Sequence, residues 1–376
     1  MQSSPHLLND LAHAIAAAHG WLPFDAFMSH ALYAPGLGYY ANESRKFGAL
    51  PASGSDFITA PELSAFFGTT LAVQVAQALA VTQTQELWEF GAGSGALAWQ
   101  LLTALDAAGT PVSRYTVVEL SGSLRARQQA KLAAYGDRVR WVSELPAQMH
   151  GVVLGNELLD ALPVKLLARQ GGVWHERGVV WREHRAAAHA DSAAEGEGAL
   201  VFDDRPTDLR PPLEIPGEHD YLCEIHPQAE AFVRTLAGKL VQGAAFFIDY
   251  GFTEREYYHP QRHMGTLMCH HRHRADANPL QQVGEKDITA HVNFTGIALA
   301  AQAAGLAVLG YTSQARFLMN CGLLTQLAEA SLAQRAQAQK LLTEHEMGEL
   351  FKVIGFAKGA AWDAVGFAQG DRTHTL

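Results

Sequence analysis

Four groups of residues along this chain have side chains suited to binding or catalysis. The first is Glu89 with the alternating glycines Gly91, Gly93 and Gly95, in the run ELWEFGAGSG over 86–95. Glycine is needed where a turn is tight and a ligand must approach the backbone with no Cβ in the way. Gly91, Gly93 and Ala96 also satisfy the loose pattern G-x-G-x-x-G/A, so the glycines alone leave a nicotinamide dinucleotide open. Glu89 weighs against it. A carboxylate at the end of a strand can hold a ligand's ammonium group, whereas a pyrophosphate wants the positive end of a helix and no acid beside it. E-x-G-x-G-x-G therefore leans towards S-adenosylmethionine, which ends in an amino acid and carries no phosphate.

The second group is Glu119, with Leu120 beside it, about two dozen residues past Gly95. A carboxylate there can accept hydrogen bonds from both hydroxyls of a ribose and disfavours a 2′-phosphate. The third is Asn156, Glu157 and Asp160 in NELLDALP. Acids clustered in a cleft repel one another and lose solvation, which is costly unless they bind something. Capping of a short helix by Asn156 and Asp160 is the plainer alternative. The fourth is Asp249 with Tyr250, again an acid at the end of an apolar run. Cys269, His270, His271 and His273 invite a metal, but no second ligand pair follows at zinc spacing, so no metal is assigned.

These groups need a parallel α/β sheet to bring them together. Leu87 to Phe90 reads as strand one, the glycines as its turn, and Ala96 to Leu102 as the following helix. Tyr115–Val118, Val139–Val142, Val152–Gly155 and Ala244–Ile248 continue the sheet, with Ser143, Glu144 and Leu145 placed where an adenine ring lies. Ser121 to Ala134 and His226 to Leu240 read as helices between them. Beyond the sheet's middle, Thr295–Ala304 is predicted helical, Leu306–Tyr311 a strand, Phe317–Leu342 a long helical region, and Phe351–Ala357 a last strand at the antiparallel edge.

Before strand one, Pro5 to Gly20 reads as an amphipathic helix and Asn42 to Gly54 as a polar loop. Thr59-x-x-Glu62 reads as a capping box opening a helix with Leu63, Phe66, Phe67 and Leu71 on one face. Lys165–Arg169 and Val173–Trp181 form a predicted hairpin about Gly171-Gly172, and Ala186–Gly198 a flexible tip. The division that follows is an N-terminal helical cover over 1–80, a first part of the core over 81–163, an inserted substrate lobe over 164–222, and the rest of the core over 223–376.

With 376 residues, 48% of them hydrophobic and 18% charged, the chain has the composition of an ordinary soluble globular protein. Its net charge of −10 argues against general nucleic-acid or anionic-membrane binding. Three widely spaced cysteines, Cys223, Cys269 and Cys321, point to a reducing compartment. No apolar run reaches transmembrane length. Asp10 and the lack of Arg before Arg45 show neither a signal nor a transit peptide, so the expected location is the cytoplasm.

With these residues in place, the chain resembles the MidA-like methyltransferases, S-adenosylmethionine-dependent proteins that include the mitochondrial complex I assembly arginine methyltransferase. The resemblance is carried by GYY (38–40), DFITAPELSAFFG (56–68), EFGAGSGAL (89–97), YTVVELSGSLRARQ (115–128), NELLDALPV (156–164), FIDYGF (247–252), GTLMCHHRHR (265–274), GEKDITAHVNFT (284–295) and EMGELFKVI (346–354). It implies a class I, Rossmann-like methyltransferase sheet with extra lobes, acting on a protein side chain. In the mitochondrial relative that side chain is an arginine of a complex I subunit, so a quinone-oxidoreductase subunit is the implied partner. Glu89, Gly91, Gly93, Gly95, Glu119, Leu120 and Asn156 would hold the cofactor. Glu157 and Asp160 would grip the guanidinium, with Asn156 orienting and Asp249 or Tyr250 in the supporting wall. A non-catalytic assembly factor that keeps the cofactor fold, and an NAD-dependent oxidoreductase, are the competing readings.

Overall fold

The computed structural model describes residues 5–42, 58–110, 112–183 and 198–376. Most of the expected polar loop (43–54), most of the expected tip (186–197) and the first two residues of DFITAPELSAFFG lie outside the described residues. The chain forms two compact units: Arg45–Ala161, Gln228–Tyr257 and His291–Leu376 make the larger, and Met1–Ser44, Leu162–Pro227 and Tyr258–Ala290 the smaller. The first eighty residues are thus shared between the units, and 258–290 fold with the inserted segment.

In the larger unit the elements run α1 (Ala65–Thr82), β1 (Glu86–Phe90), α2 (Ala96–Ala107), β2 (Arg114–Val118), α3 (Gly122–Leu132), β3 (Val139–Val142), β4 (Met149–Asn156), α4 (Pro227–Lys239), β5 (Leu240–Phe252), α5 (Phe294–Ala303), β6 (Leu306–Ser313) and β7 (Phe351–Lys358). The sheet order is β3-β2-β1-β4-β5-β7-β6, with the two-residue strand Val292–Asn293 pairing beside the end of β5. β1 to β5 are parallel, and β7 runs antiparallel to both neighbours. The α/β sheet expected from the sequence is therefore present. Its last strand is not the edge: Phe351–Ala357 are all buried, and a strand so apolar on both faces takes a partner on each side, leaving β6 outermost.

The chain leaves β1 towards β2 on one side, while β4 pairs with β1 on the other. That reversal opens a crevice outside the carboxyl ends of the strands, where such sheets bind ligands. α1 is the one described helix apolar and long enough, by length and composition, to cross a membrane, contrary to the reading that no run reaches that length. In this fold its Phe67, Leu71, Val75, Ala78 and Leu79 enter the core with Leu97, Leu101 and Leu105 of α2 and Leu87 and Val152 of the sheet. The expected long helix after β6 is three helices, Gln314–Asn320, Leu323–Ala328 and Leu332–Leu342. They are separated by Gly322 at φ +90° and by a capping box between Ser331 and Gln334.

The smaller unit has a five-stranded antiparallel sheet in the order 22–23, 173–183, 165–170, 221–225, with Gly198–Pro206 pairing Val173–Glu183. Gln170 pairs Val173 across Gly171 and Gly172, both at positive φ, the two-residue turn the sequence predicts. The histidine-rich run contributes Met268–His271 as the central strand of a three-stranded sheet.

Candidate active site

β1 carries Leu87 to Phe90 into the core between β2 and β4, then turns into α2 through the three glycines. Gly91, Gly93 and Gly95 have φ of +63°, +53° and +81°. Any other L-residue in that left-handed region costs ~1–2 kcal/mol, so backbone conformation is what requires glycine here. Space is the weaker constraint, since a Cβ on Gly95 would only touch Gln128 at 3.5 Å.

Glu89, at the carboxyl end of β1, is 2% exposed. Its Oε2 accepts a 2.7 Å hydrogen bond from the Tyr115 hydroxyl on β2. Burial pushes its carboxyl up to about 7; the Tyr115 bond opposes the shift and the Glu119 charge adds to it. A carboxyl left so weakly compensated is suited to an ammonium, which would restore its ionised form. The amino-acid end of S-adenosylmethionine supplies that group.

Glu119 ends β2. Its Oε1 accepts from the Ser121 N–H at 2.9 Å and its Oε2 from Gln128 Nε2 at 2.9 Å. Burial raises its pKa, and the bonds from Ser121 and Gln128 pull the other way. The same Gln128 Nε2 donates to the Gly93 carbonyl at 3.0 Å, and Trp141 Nε1 on β3 donates to Gln128 Oε1 at 2.9 Å. Fully buried on α3, Gln128 thus ties the glycine turn, the ribose acid and β3 into one frame. Leu120 is 75% exposed beside it, and Ser143 and Glu144 are exposed past the end of β3.

A second support reaches the turn from before α1. The sequence reads Thr59 and Glu62 as a capping box, but Thr59 makes no capping bond among the described residues and Glu62 points elsewhere. The Glu62 carboxylate accepts a hydrogen bond from the Ser94 hydroxyl, and Lys131 Nζ lies 3.1 Å from Ser94 Oγ. The T-x-x-E spacing is coincidental. An acid that finds a hydroxyl donor in space has no need of its own helix end.

At the end of β4 the chain bends sharply. Glu157 has φ +51°, a strained conformation for a residue with a Cβ, and its N–H donates to the Ile248 carbonyl at 2.8 Å. Asn156 Nδ2 donates to Glu157 Oε1 at 3.1 Å. Asp249, 1% exposed and three residues before the end of β5, holds this bend together. Its Oδ2 accepts from the N–H groups of Leu158, Leu159 and Asp160 at 3.1, 2.8 and 3.2 Å, and its Oδ1 from that of Tyr250 at 3.0 Å. Burial and the charges of Asp160 and Glu157 nevertheless hold its pKa well above the usual carboxylate range. Asp249 is thus a positioning residue, its carboxylate spent on four backbone donors that fix the bend.

Glu157 and Asp160 differ as well. Glu157 is half-buried, while Asp160 is 5% exposed and accepts a 2.5 Å bond on Oδ2 from the Tyr250 hydroxyl. Burial raises Asp160 to about 6, with the Tyr250 bond opposing it. The expected symmetrical clamp is therefore one accessible carboxylate and one buried carboxylate–tyrosine pair. Asn156 Oδ1 and Asp160 Oδ1 are buried acceptors with no donor among the described residues.

The reversed sheet, the glycine turn with an acid before it and a second acid closing β2 define a class I S-adenosylmethionine-dependent methyltransferase. Residues 70–312 match the family described as "Putative S-adenosyl-L-methionine-dependent methyltransferase", and the chain belongs to that family. It is similar to a Burkholderia thailandensis protein crystallised with S-adenosyl-homocysteine: TM-score 0.90, 49% identity, covering 99% of this chain and 96% of that one. The protein arginine methyltransferase NDUFAF7, mitochondrial, of Danio rerio is 26% identical over 92% of this chain and 85% of its own length. Its Caenorhabditis elegans homolog is 24% identical over 92% and 84%. S-adenosylmethionine is the cofactor, and the nicotinamide reading falls.

Proposed function

We propose that this methyltransferase modifies an arginine side chain of a partner protein, a subunit of a quinone-oxidoreductase type complex, in the cytoplasm. The observation that carries the reading is the pair of buried acceptors, Asn156 Oδ1 and Asp160 Oδ1, beside the half-buried carboxylate of Glu157. A guanidinium is the side chain that answers such a set, being cationic, planar and equipped with five N–H donors and no acceptor. The names of the two mitochondrial relatives support arginine and a protein substrate. Three buried free thiols, Cys223, Cys269 and Cys321, suit a reducing compartment.

S-adenosylmethionine, when bound, offers a methyl group on a sulfonium. Glu89 holds its amino-acid end and Glu119 its ribose, and the frame around Gln128 keeps the distance between them. Glu157 holds the guanidinium and offsets its charge, while the Asp249 hydrogen bonds keep the bend from relaxing away from the crevice. Most of the rate gain then comes from orientation. The test is transfer from labelled S-adenosylmethionine to proteins of an extract from cells lacking this enzyme, with the modified residue located by mass spectrometry. Methylarginine in one dominant protein is expected. Label confined to lysine, or no label with cofactor bound, overturns the reading.

A further inference from the structure

We infer that Tyr250 and Asp160 take up the proton that the substrate nitrogen loses on methylation, the tyrosine hydroxyl receiving it while passing its own proton to Asp160. The inference rests on the nitrogen nucleophile of the reading above. Its basis is geometric. The Tyr250 hydroxyl donates to Asp160 Oδ2 at 2.5 Å, and Asp160 is 5% exposed with Oδ1 short of a donor among the described residues. Tyr250 itself is half-buried, and so more open than the carboxylate its hydroxyl bonds. Its backbone N–H is fixed on Asp249, and its ring stands edge-on to His291 and Phe351 at 5.0 and 5.4 Å.

The step balances. The nitrogen's electron pair forms the N–CH3 bond while the S–CH3 bond of the donor would break with its electrons left on sulfur, and the remaining N–H becomes strongly acidic. That N–H bond breaks, its electrons staying on nitrogen, and the proton forms a new O–H bond on Tyr250. The former Tyr250 O–H breaks as the Asp160 Oδ2–H forms. Counting the reacting centres, a guanidinium, a sulfonium and a carboxylate enter; a methylguanidinium, a neutral thioether and a carboxylic acid leave, with one positive charge on each side. Since the donor nitrogen is by then so acidic, a carboxylate of modest basicity suffices. Burial raises Asp160 above the usual carboxylate range, which makes it a better proton acceptor than a solvated carboxylate.

Among the described residues, Asp249, Glu157, Lys352 and His291 lie near the pair. Asp249, adjacent on β5, is filled by four backbone donors. Glu157 accepts from Asn156 on the near side of the bend. Lys352 on β7 stands opposite Asp249 in register, with its Nζ bonded to the Glu349 carbonyl. His291 presents its ring to the Tyr250 ring.

The test compares wild type, Tyr250→Phe and Asp160→Asn in label transfer to the extract proteins across about pH 5.5 to 8.5, with S-adenosylhomocysteine affinity measured alongside. The rate of the wild type should fall on the acid side. Both variants should lose about a hundredfold or more in rate, the size of a general-base contribution, and lose that acid limb. Affinity for S-adenosylhomocysteine should stay within about twofold, because the hydrogen bonds of Glu89 and Glu119 run to Tyr115, Ser121 and Gln128 instead. A readout free of turnover is the carboxyl carbon resonance of Asp160, whose titration midpoint should move up in Tyr250→Phe. Should Asp160→Asn not fold, Tyr250→Phe, which removes one oxygen, decides alone. A Tyr250→Phe enzyme with the wild-type rate, or a slower one keeping the acid limb, overturns the inference. Label found on a residue other than arginine would overturn the arginine reading and leave this one standing if the limb still depends on Tyr250.

Discussion

Replacing Glu89 by Gln should abolish a pH dependence of cofactor binding that follows from where this carboxyl sits. In the cofactor-free protein burial holds Glu89 at about 7. A bound ammonium reverses that shift, so binding should release a proton at pH below 7 and none well above it. With a midpoint near 7, the ionised fraction rises between about pH 6 and 7.5 enough to tighten S-adenosylhomocysteine binding about eightfold in the wild type. The amide that Glu89→Gln introduces cannot ionise, so the slope should disappear apart from the smaller contribution of Glu119, whose pKa is also raised by burial. At the upper pH the substitution should weaken binding by about 1.5–3 kcal/mol, the contribution of a hydrogen bond to a charged group, or roughly ten- to a hundredfold. Titration calorimetry in buffers of different ionisation enthalpy reads both affinity and proton count. A flat wild-type profile, or a slope unchanged in Glu89→Gln, refutes the reasoning. The same shift has a stability consequence with its own sign. A carboxyl raised on folding binds more protons folded than unfolded, so its contribution is present below the unfolded value and lost as pH rises through about 7. The melting temperature of the cofactor-free enzyme should therefore fall over that range, and less so in Glu89→Gln.

Gln128→Leu strips the bonds to Gly93, Glu119 and Trp141 and leaves those three half-buried polar groups unmatched. It should cost about 1–3 kcal/mol in stability, read by denaturant melts, and weaken S-adenosylhomocysteine binding while kcat at saturating cofactor changes far less. Glu157→Gln should do the reverse, leaving cofactor affinity nearly intact while turnover falls about a hundredfold in a labelled-methyl assay. Asp249→Asn puts an amide donor or a single carbonyl where four N–H groups converge. A loss of about 3 kcal/mol in stability is expected, with a matching drop in melting temperature by calorimetry.

Much of the site was legible because its parts are local in sequence. Glu89, its glycines and Glu119 each lie at the end of a short apolar run, and the strand–turn–helix rhythm fixes which end faces the ligand. Gln128 was not legible as a site residue. It reads as a helix position, and its partners Gly93 and Trp141 lie 35 and 13 residues away. Tyr115 looks like one more aromatic in a buried strand until its hydroxyl is seen on Glu89. Glu62 shows the opposite failure, a local pattern that fits a cap so well that its distant partner Ser94 gives no signal. Asp249 could be placed at a strand end from sequence, but not turned: only the register of β4 beside β5 reveals that it faces the neighbouring backbone. The position of β7 within the sheet follows from the same limit, since burial on both faces shows in the residues while the choice of neighbours does not.

The most direct measurement is a crystal structure of the full chain with S-adenosylhomocysteine. The amino group should lie on the Glu89 carboxylate, both ribose hydroxyls on Glu119, and the sulfur should face the bend from Asn156 to Asp160. A ligand bound with its sulfur turned away from that bend, or with its amino acid distant from Glu89, contradicts the account.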